Sequence, residues 1–171
     1  KLMDPDSVLI DEILDLGKTP EKLSLGFDHS KLNFLYDQET IKNKLTEIKN
    51  ELQENFEFLF IEGSSTLSFG SSVNLDSISL AKIFDCDIIF VVQGNHHTVV
   101  DQIKFLTEVI NLGNVKVKGV IINKVTEIEK IKETYVPKIE EMGVKVLGIV
   151  PYEKELTYPS MNYIAQTIKA K

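Results

Sequence analysis

The stretch DIIFVVQGNHHTVVDQIKFLTEVINLGNVKVKGVIINK, residues 87–124, decides the fold. It opens on an apolar run, DIIFVVQ (87–93). Val99, Ile103, Leu106 and Ile110 then recur at helical spacing over 97–112, and Gly113 ends that pattern. A second apolar run, KGVIINK (118–124), follows. Runs nearly continuous in Val, Ile, Leu and Phe suit strands covered on both faces, as in a parallel sheet. Strand, helix and strand then make a βαβ unit, whose crossover is right-handed because a twisted sheet accepts it in that hand.

The same alternation extends outward on both sides. FEFLFIE (56–62) and VKVLGIV (144–150) read as two further strands. Ile41, Leu45, Ile48 and Leu52 mark a helix over 38–53. Ile128, Ile131, Tyr135, Ile139 and Met142 mark another over 127–142, which Gly143 closes and Pro137 is expected to kink or break. Residues 75–84 and 160–169 read as further helices, 6–16 as a short one and 17–37 as a loop. The expected fold class is α/β, a three-layer α/β/α arrangement around a mostly parallel sheet of strands 56–62, 87–93, 118–124 and 144–150. The chain is read as one domain, 1–171.

Composition narrows the function. The chain has 171 residues, 43% hydrophobic and 26% charged, which suits a soluble globular protein with a substantial core. Its net charge is −7 and every one of its 19 basic residues is Lys. No basic cluster appears, which argues against a nucleic-acid partner. With no Arg, the chain has neither an arginine finger nor a bidentate guanidinium clamp. No apolar run reaches the roughly 18 residues that span a bilayer, so no membrane partner is expected. The single Cys86 forms no internal disulfide and points to a reduced, cytoplasmic setting. It lies between Asp85 and Asp87, acids that raise a thiol's pKa, and so reads as inert.

Ligands of a parallel sheet bind at the carboxyl ends of its strands. The residues leaving those ends are Glu62 to Ser72, Gln93 to Thr98, Asn123 to Thr126 and Pro151 to Glu155. The loop after Glu62 is not a Walker A loop: Gly63 and Gly70 are seven apart, and no Lys follows. Glu62 itself reads as a strand-end carboxylate for Mg²⁺ beside a nucleotide phosphate, or as a solvated residue where the strand exits. Ser64, Ser65, Thr66 and Ser71 offer hydroxyls to an anionic substrate, or form a plain polar turn. His96 and His97 are adjacent, a spacing that does not suit metal ligation, and read as solvated helix-entry residues with Thr98 as a cap. Asp4 and Asp6 flank Pro5, with Asp6 or Ser7 as the cap of the first helix.

The run FLFIEGSSTLSFGSSVNLDSISLAKIFDCDIIFVVQG resembles the dethiobiotin-synthetase-like branch of P-loop proteins, in which a strand ends in Glu-Gly and a substrate loop, helix and strand follow. VKGVIINKV resembles that branch's next strand, ending in Asn. GVKVLGIVPYEKELTYPSMNYIAQTI resembles its last strand with a Gly-x-x-Pro and a Leu-x-x-Pro loop. The nearest resemblance is to the dethiobiotin-synthetase-like N-terminal domain of some phosphate acetyltransferases (phosphotransacetylases). Cobyrinate diamide synthases are more distant. The resemblance covers roughly residues 50–170. It implies ATP and Mg²⁺ as cofactors, Glu62 as the metal-associated acid, Ser64, Ser65, Thr66 and Ser71 in the substrate loop, and Asn123, Lys124 and Pro151 at the nucleotide. It also offers Asp4 and Asp6 as a second acidic corner. The Asp that usually follows such a Lys by two residues is replaced by Thr126.

The family's opening strand, P-loop, helix and second strand have no counterpart in these 171 residues. The start KLMDPDSVLIDEIL resembles the acidic helical segment that comes after them. The chain is therefore expected to be part of a longer gene product. The expected function is a nucleotide-binding P-loop-like domain of the phosphotransacetylase type, regulatory or incomplete as given. The alternative is an ATP- and Mg²⁺-dependent synthetase that activates a carboxylate or carbamate, of the dethiobiotin or cobyrinate diamide synthase type. Expected partners are a nucleotide or small anionic ligand, with a homodimer or further domains of the same product possible. Residues 1–171 alone are expected not to hydrolyse ATP, since phosphoryl transfer depends on a preorganised phosphate cradle.

Overall fold

The structure, a computed structural model, describes residues 5–15, 37–64, 66–94, 97–110 and 112–158. The expected helix 160–169 lies outside the described residues. So do most of the loop 17–37, and Asp4, Ser65 and His96. The chain divides into two compact units, Lys1–Cys86 and Asp87–Lys171.

In the first unit, α1 spans Pro5–Leu14 and α2 spans Gln38–Asn55. A short 3₁₀ turn, Ser71–Val73, leads to α3, Ser77–Phe84. α1 begins at Pro5, which places Asp6 and Ser7 in its first turn. Proline suits a first helical position, where a missing N–H costs nothing. Asp37 caps α2 by accepting the Thr40 backbone N–H at 2.7 Å. Its hydrogen bonds to Thr40, from the side chain first and the backbone second, hold the carboxyl below its ordinary value of 3.8. Ile41 and Leu45, one helical turn apart, turn the buried stripe of α2 into a core with Val73, Leu80 and Phe84. Cys86 packs partly buried against that core, which fits the inert reading.

The strand expected at 56–62 is absent. Phe56 ends α2, its N–H still donating to the Leu52 carbonyl at 3.0 Å. The segment that follows has no regular structure, and among the described residues no strand pairs with it. Phe58 is 74% exposed and Phe60 88%, while Ile61 packs at the core. Strand preference expresses the fit of side chains to a pleated, paired surface and is weak without a neighbour. Among the described residues the apolar run has no such neighbour.

The second unit carries the sheet. Its elements are β1 (Ile88–Gln93), α4 (His97–Lys104), β2 (Val117–Val125), α5 (Ile128–Lys130), α6 (Val136–Glu141) and β3 (Val146–Pro151). A π-helical turn, Phe105–Val109, prolongs α4. A second, Ile131–Tyr135, joins α5 to α6 directly ahead of Pro137. That is the break the sequence anticipates, since proline cannot donate to the preceding turn. The strands lie in the order β1-β2-β3, all parallel, with Phe90 beside Val120 and Val92 beside Ile122. The fold is thus α/β, and three of the four expected strands form its sheet.

Phe90, Val92, Val120 and Ile122 are buried on one face. α4 packs on β1, and α6 packs on both β3 and α4. Val99, Ile103, Ile131 and Ile139 supply fully buried side chains from the helices. Gly119 is required where β2 meets β3. Its φ is +153°, and a Cβ there would run into the Lys145 carbonyl and come within 2.8 Å of Leu147 Cγ. That carbonyl already accepts the Val120 N–H at 2.9 Å.

Candidate nucleotide edge

Parallel strands present their carboxyl ends along one edge, and here that edge carries Gln93-Gly94, Asn123-Lys124 and Pro151-Tyr152. Gln93 pairs with Asn123, and Val125 pairs with Pro151. The Tyr152 N–H donates to the Val125 carbonyl at 2.9 Å and extends the pairing by one bond. Asn123, Lys124 and Pro151 therefore share one edge of the second unit. Gln102, from α4, donates its Nε2 to the Gln93 carbonyl at 3.2 Å and ties the helix to the end of β1. α4 begins at His97, which places Thr98 in its first turn.

The end of β2 is not a regular strand. Ile122 pairs with Ile149 and Val125 with Pro151, so Asn123 and Lys124 stand opposite the lone Val150. Two residues against one is a β-bulge. The extra residue is Lys124, whose φ is +59°, a left-handed conformation that costs an L-residue roughly 1–2 kcal/mol. The bulge restores the inward phase: Val120, Ile122 and Val125 are all buried, at spacings of two and then three. The Lys124 N–H donates to Asn123 Oδ1 at 2.8 Å, so the carboxamide is tied to the backbone beside it. Asn123 is half-buried and Lys124 exposed.

The acid and the hydroxyl loop belong to the first unit. Glu62 is exposed and makes no ion pair with a described residue. Gly63 lies close on the start of α3, where a Cβ would stand 2.5 Å from Ser77 Oγ. Ser64 donates its hydroxyl to the Thr66 carbonyl at 2.5 Å, and Ser71 donates to the Ser68 carbonyl at 2.8 Å. Both hydroxyl protons are therefore engaged within the loop. The lone pairs that remain accept hydrogen bonds and do not donate to an anion. Thr66 is exposed.

Sequence reasoning missed Asp76. It is 7% exposed and caps α3, accepting from the backbone N–H groups of Ile78 and Ser79 at 3.1 and 3.0 Å and from Ser79 Oγ at 2.6 Å. The signal was available as an Asp followed by Ser77 and a helical pattern.

Among the described residues, no three His, Cys, Asp or Glu side chains gather to hold a metal. A cation at Glu62 would have one carboxylate and complete its shell with water and phosphate oxygens, as Mg²⁺ commonly does. No helix among the described residues is long and apolar enough to cross a membrane.

Residues 4–160 match a protein family described as an AAA domain, a span that takes in most of each unit. The chain is 26% identical over 136 residues to the ATP-dependent dethiobiotin synthetase BioD of Methanocaldococcus jannaschii, an alignment covering 78% of this chain and 62% of that protein. It is 31% identical over 109 residues to the protein of the same name from Methanococcus vannielii, covering 61% of this chain and 51% of that one. The chain thus spans between half and two thirds of the length of these relatives. No solved structure matches it. These relatives support the dethiobiotin-synthetase reading and lend nothing to the phosphate-acetyltransferase one. The family match over most of the chain, on a parallel α/β sheet, shows that the chain belongs to the AAA-domain family, and both relatives it is similar to are ATP-dependent dethiobiotin synthetases.

Proposed function

We propose that this chain is the nucleotide-binding part of an ATP- and Mg²⁺-dependent synthetase that activates a carboxylate or carbamate. The observation that carries the proposal is the bulged carboxyl edge of β2, which presents Asn123 beside Gln93 of β1. An Asn whose Oδ1 is engaged by a backbone N–H retains two Nδ2 hydrogens. Those hydrogens suit a ring nitrogen of a purine. Pro151 and the partly exposed Tyr152 offer apolar surface at the end of the adjoining strand for the face of a base. In the first unit, Glu62 is the acid assigned to Mg²⁺. Ser64, Ser65, Thr66 and Ser71 make up the loop assigned to the substrate. ATP, when bound, supplies the phosphoryl group that turns a carboxylate or carbamate oxygen into a leaving group.

Calorimetric titration of MgATP into the chain tests this reading. Saturable binding is expected, weakened about tenfold in Asn123→Ala, as expected when a hydrogen bond to the base is lost. Glu62→Gln is expected to weaken binding of Mg²⁺ titrated alone into the chain. Absence of saturable MgATP binding overturns the reading. The engaged hydroxyls of Ser64 and Ser71 favour a second one, a module that binds without turnover. Steady-state phosphate release from MgATP separates the two.

A further inference from the structure

We infer that Lys124 is a positioning residue, acting through its left-handed backbone rather than its ammonium group to hold Asn123 ready for a nucleotide base. The inference rests on the nucleotide-binding reading above. Three observations carry it. Lys124 has φ +59° with a side chain that does not favour that region, and it is the residue inserted opposite Val150. Its N–H donates to Asn123 Oδ1 at 2.8 Å. The pairing of Gln93 with Asn123 and of Val125 with Pro151 clamps the strand on both sides of the insertion.

In a regular strand, Lys124 would take the buried side and Val125 would turn away from it, because successive side chains alternate. The bulge prevents that inversion and directs the Lys124 N–H back at its neighbour. One lone pair of Asn123 Oδ1 is thereby occupied, and the carboxamide keeps a single orientation with both Nδ2 hydrogens available. A side chain oriented before the ligand arrives loses less freedom on binding. Strained backbone at a strand's functional end fits this role, since such strain persists only where surrounding contacts hold it.

The test compares two substitutions that remove the ammonium group and differ in the backbone they accept. Glycine takes a positive φ readily, whereas a β-branched residue resists it. Lys124→Gly is expected to bind MgATP within about twofold of the unaltered chain, and Lys124→Ile about tenfold more weakly. Melting temperature is recorded for each. A loss of affinity in Lys124→Ile that persists well below its melting point counts as a positioning effect. Equal losses in both variants would show that the ammonium itself touches the nucleotide and would overturn the inference. Unchanged affinity in both overturns it as well.

Hydrogen exchange at the Lys124 amide provides an arm that needs no nucleotide. The amide is expected to be protected in the unaltered chain and to exchange at least about tenfold faster in Asn123→Ala, where its acceptor is gone. An unprotected Lys124 amide contradicts the inference even if MgATP binds. If MgATP does not bind at all, the functional reading fails, and this exchange result alone decides whether the bulge holds Asn123.

Discussion

Two apolar stretches of similar appearance end in different structures. FEFLFIE at 56–62 and KGVIINK at 118–124 both read as strands, yet only the second is one. It lies between β1 and β3, with Val120 and Ile122 fully buried. The first has no pairing strand among the described residues and leaves Phe58 and Phe60 in solvent. The difference shows that apolar content proposes a strand and hydrogen-bonding neighbours on its edges decide it.

Substitution in the two stretches should separate them by a wide margin. Ile122→Ala, in the central strand, is expected to cost about 2–5 kcal/mol, measured by denaturant unfolding, because it removes buried methyl groups and leaves a cavity. Phe60→Ala is expected to stay within about 0.5 kcal/mol, as for an exposed residue. Comparable costs at the two sites would show that 56–62 is buried against a partner, and the contrast would collapse. Between these extremes lies Asp76→Ala, expected to cost about 1–2 kcal/mol through loss of the α3 cap. Asp76→Asn, which keeps an acceptor, should recover most of that loss.

The smallest effect concerns pH. Thr40 holds the Asp37 carboxyl below 3.8, so the folded state favours its ionised form. Its contribution to stability is present above the ordinary carboxylate value and fades as pH falls below 3.8 through the lowered folded value. Asp37→Asn is expected to flatten the acid limb of the stability curve slightly. An unchanged limb would mean that the Thr40 cap is not formed in solution.

These contrasts also show what could be read from sequence. The runs 87–93, 118–124 and 144–150 match β1, β2 and β3 to within two residues at each end, although the covering expected on both faces is not seen: Val91 is 62% exposed and β3 has no buried residue. The helix read at 38–53 appears as Gln38–Asn55, since Ile41 and Leu45 make its buried stripe plain. The run 56–62 misled because composition carries no information about a pairing partner. The bulge at Lys124 was hidden for a different reason. Nothing in Asn-Lys distinguishes a turn from an inserted residue, and only the burial of Val125 with Ile122 discloses the change of phase. Asn123, Lys124 and Pro151 were singled out through strand ends and family likeness. Their arrangement around the bulge was not visible in the sequence.

The most direct test of the account is hydrogen exchange along the backbone with and without MgATP. The account predicts that 120–122 exchanges slowly in both states and 57–61 quickly. It further predicts that MgATP slows exchange at Lys124, Val125 and Tyr152, the edge where Asn123 would meet the base. Saturating MgATP that leaves those three amides unchanged, or slows exchange only elsewhere, would contradict it.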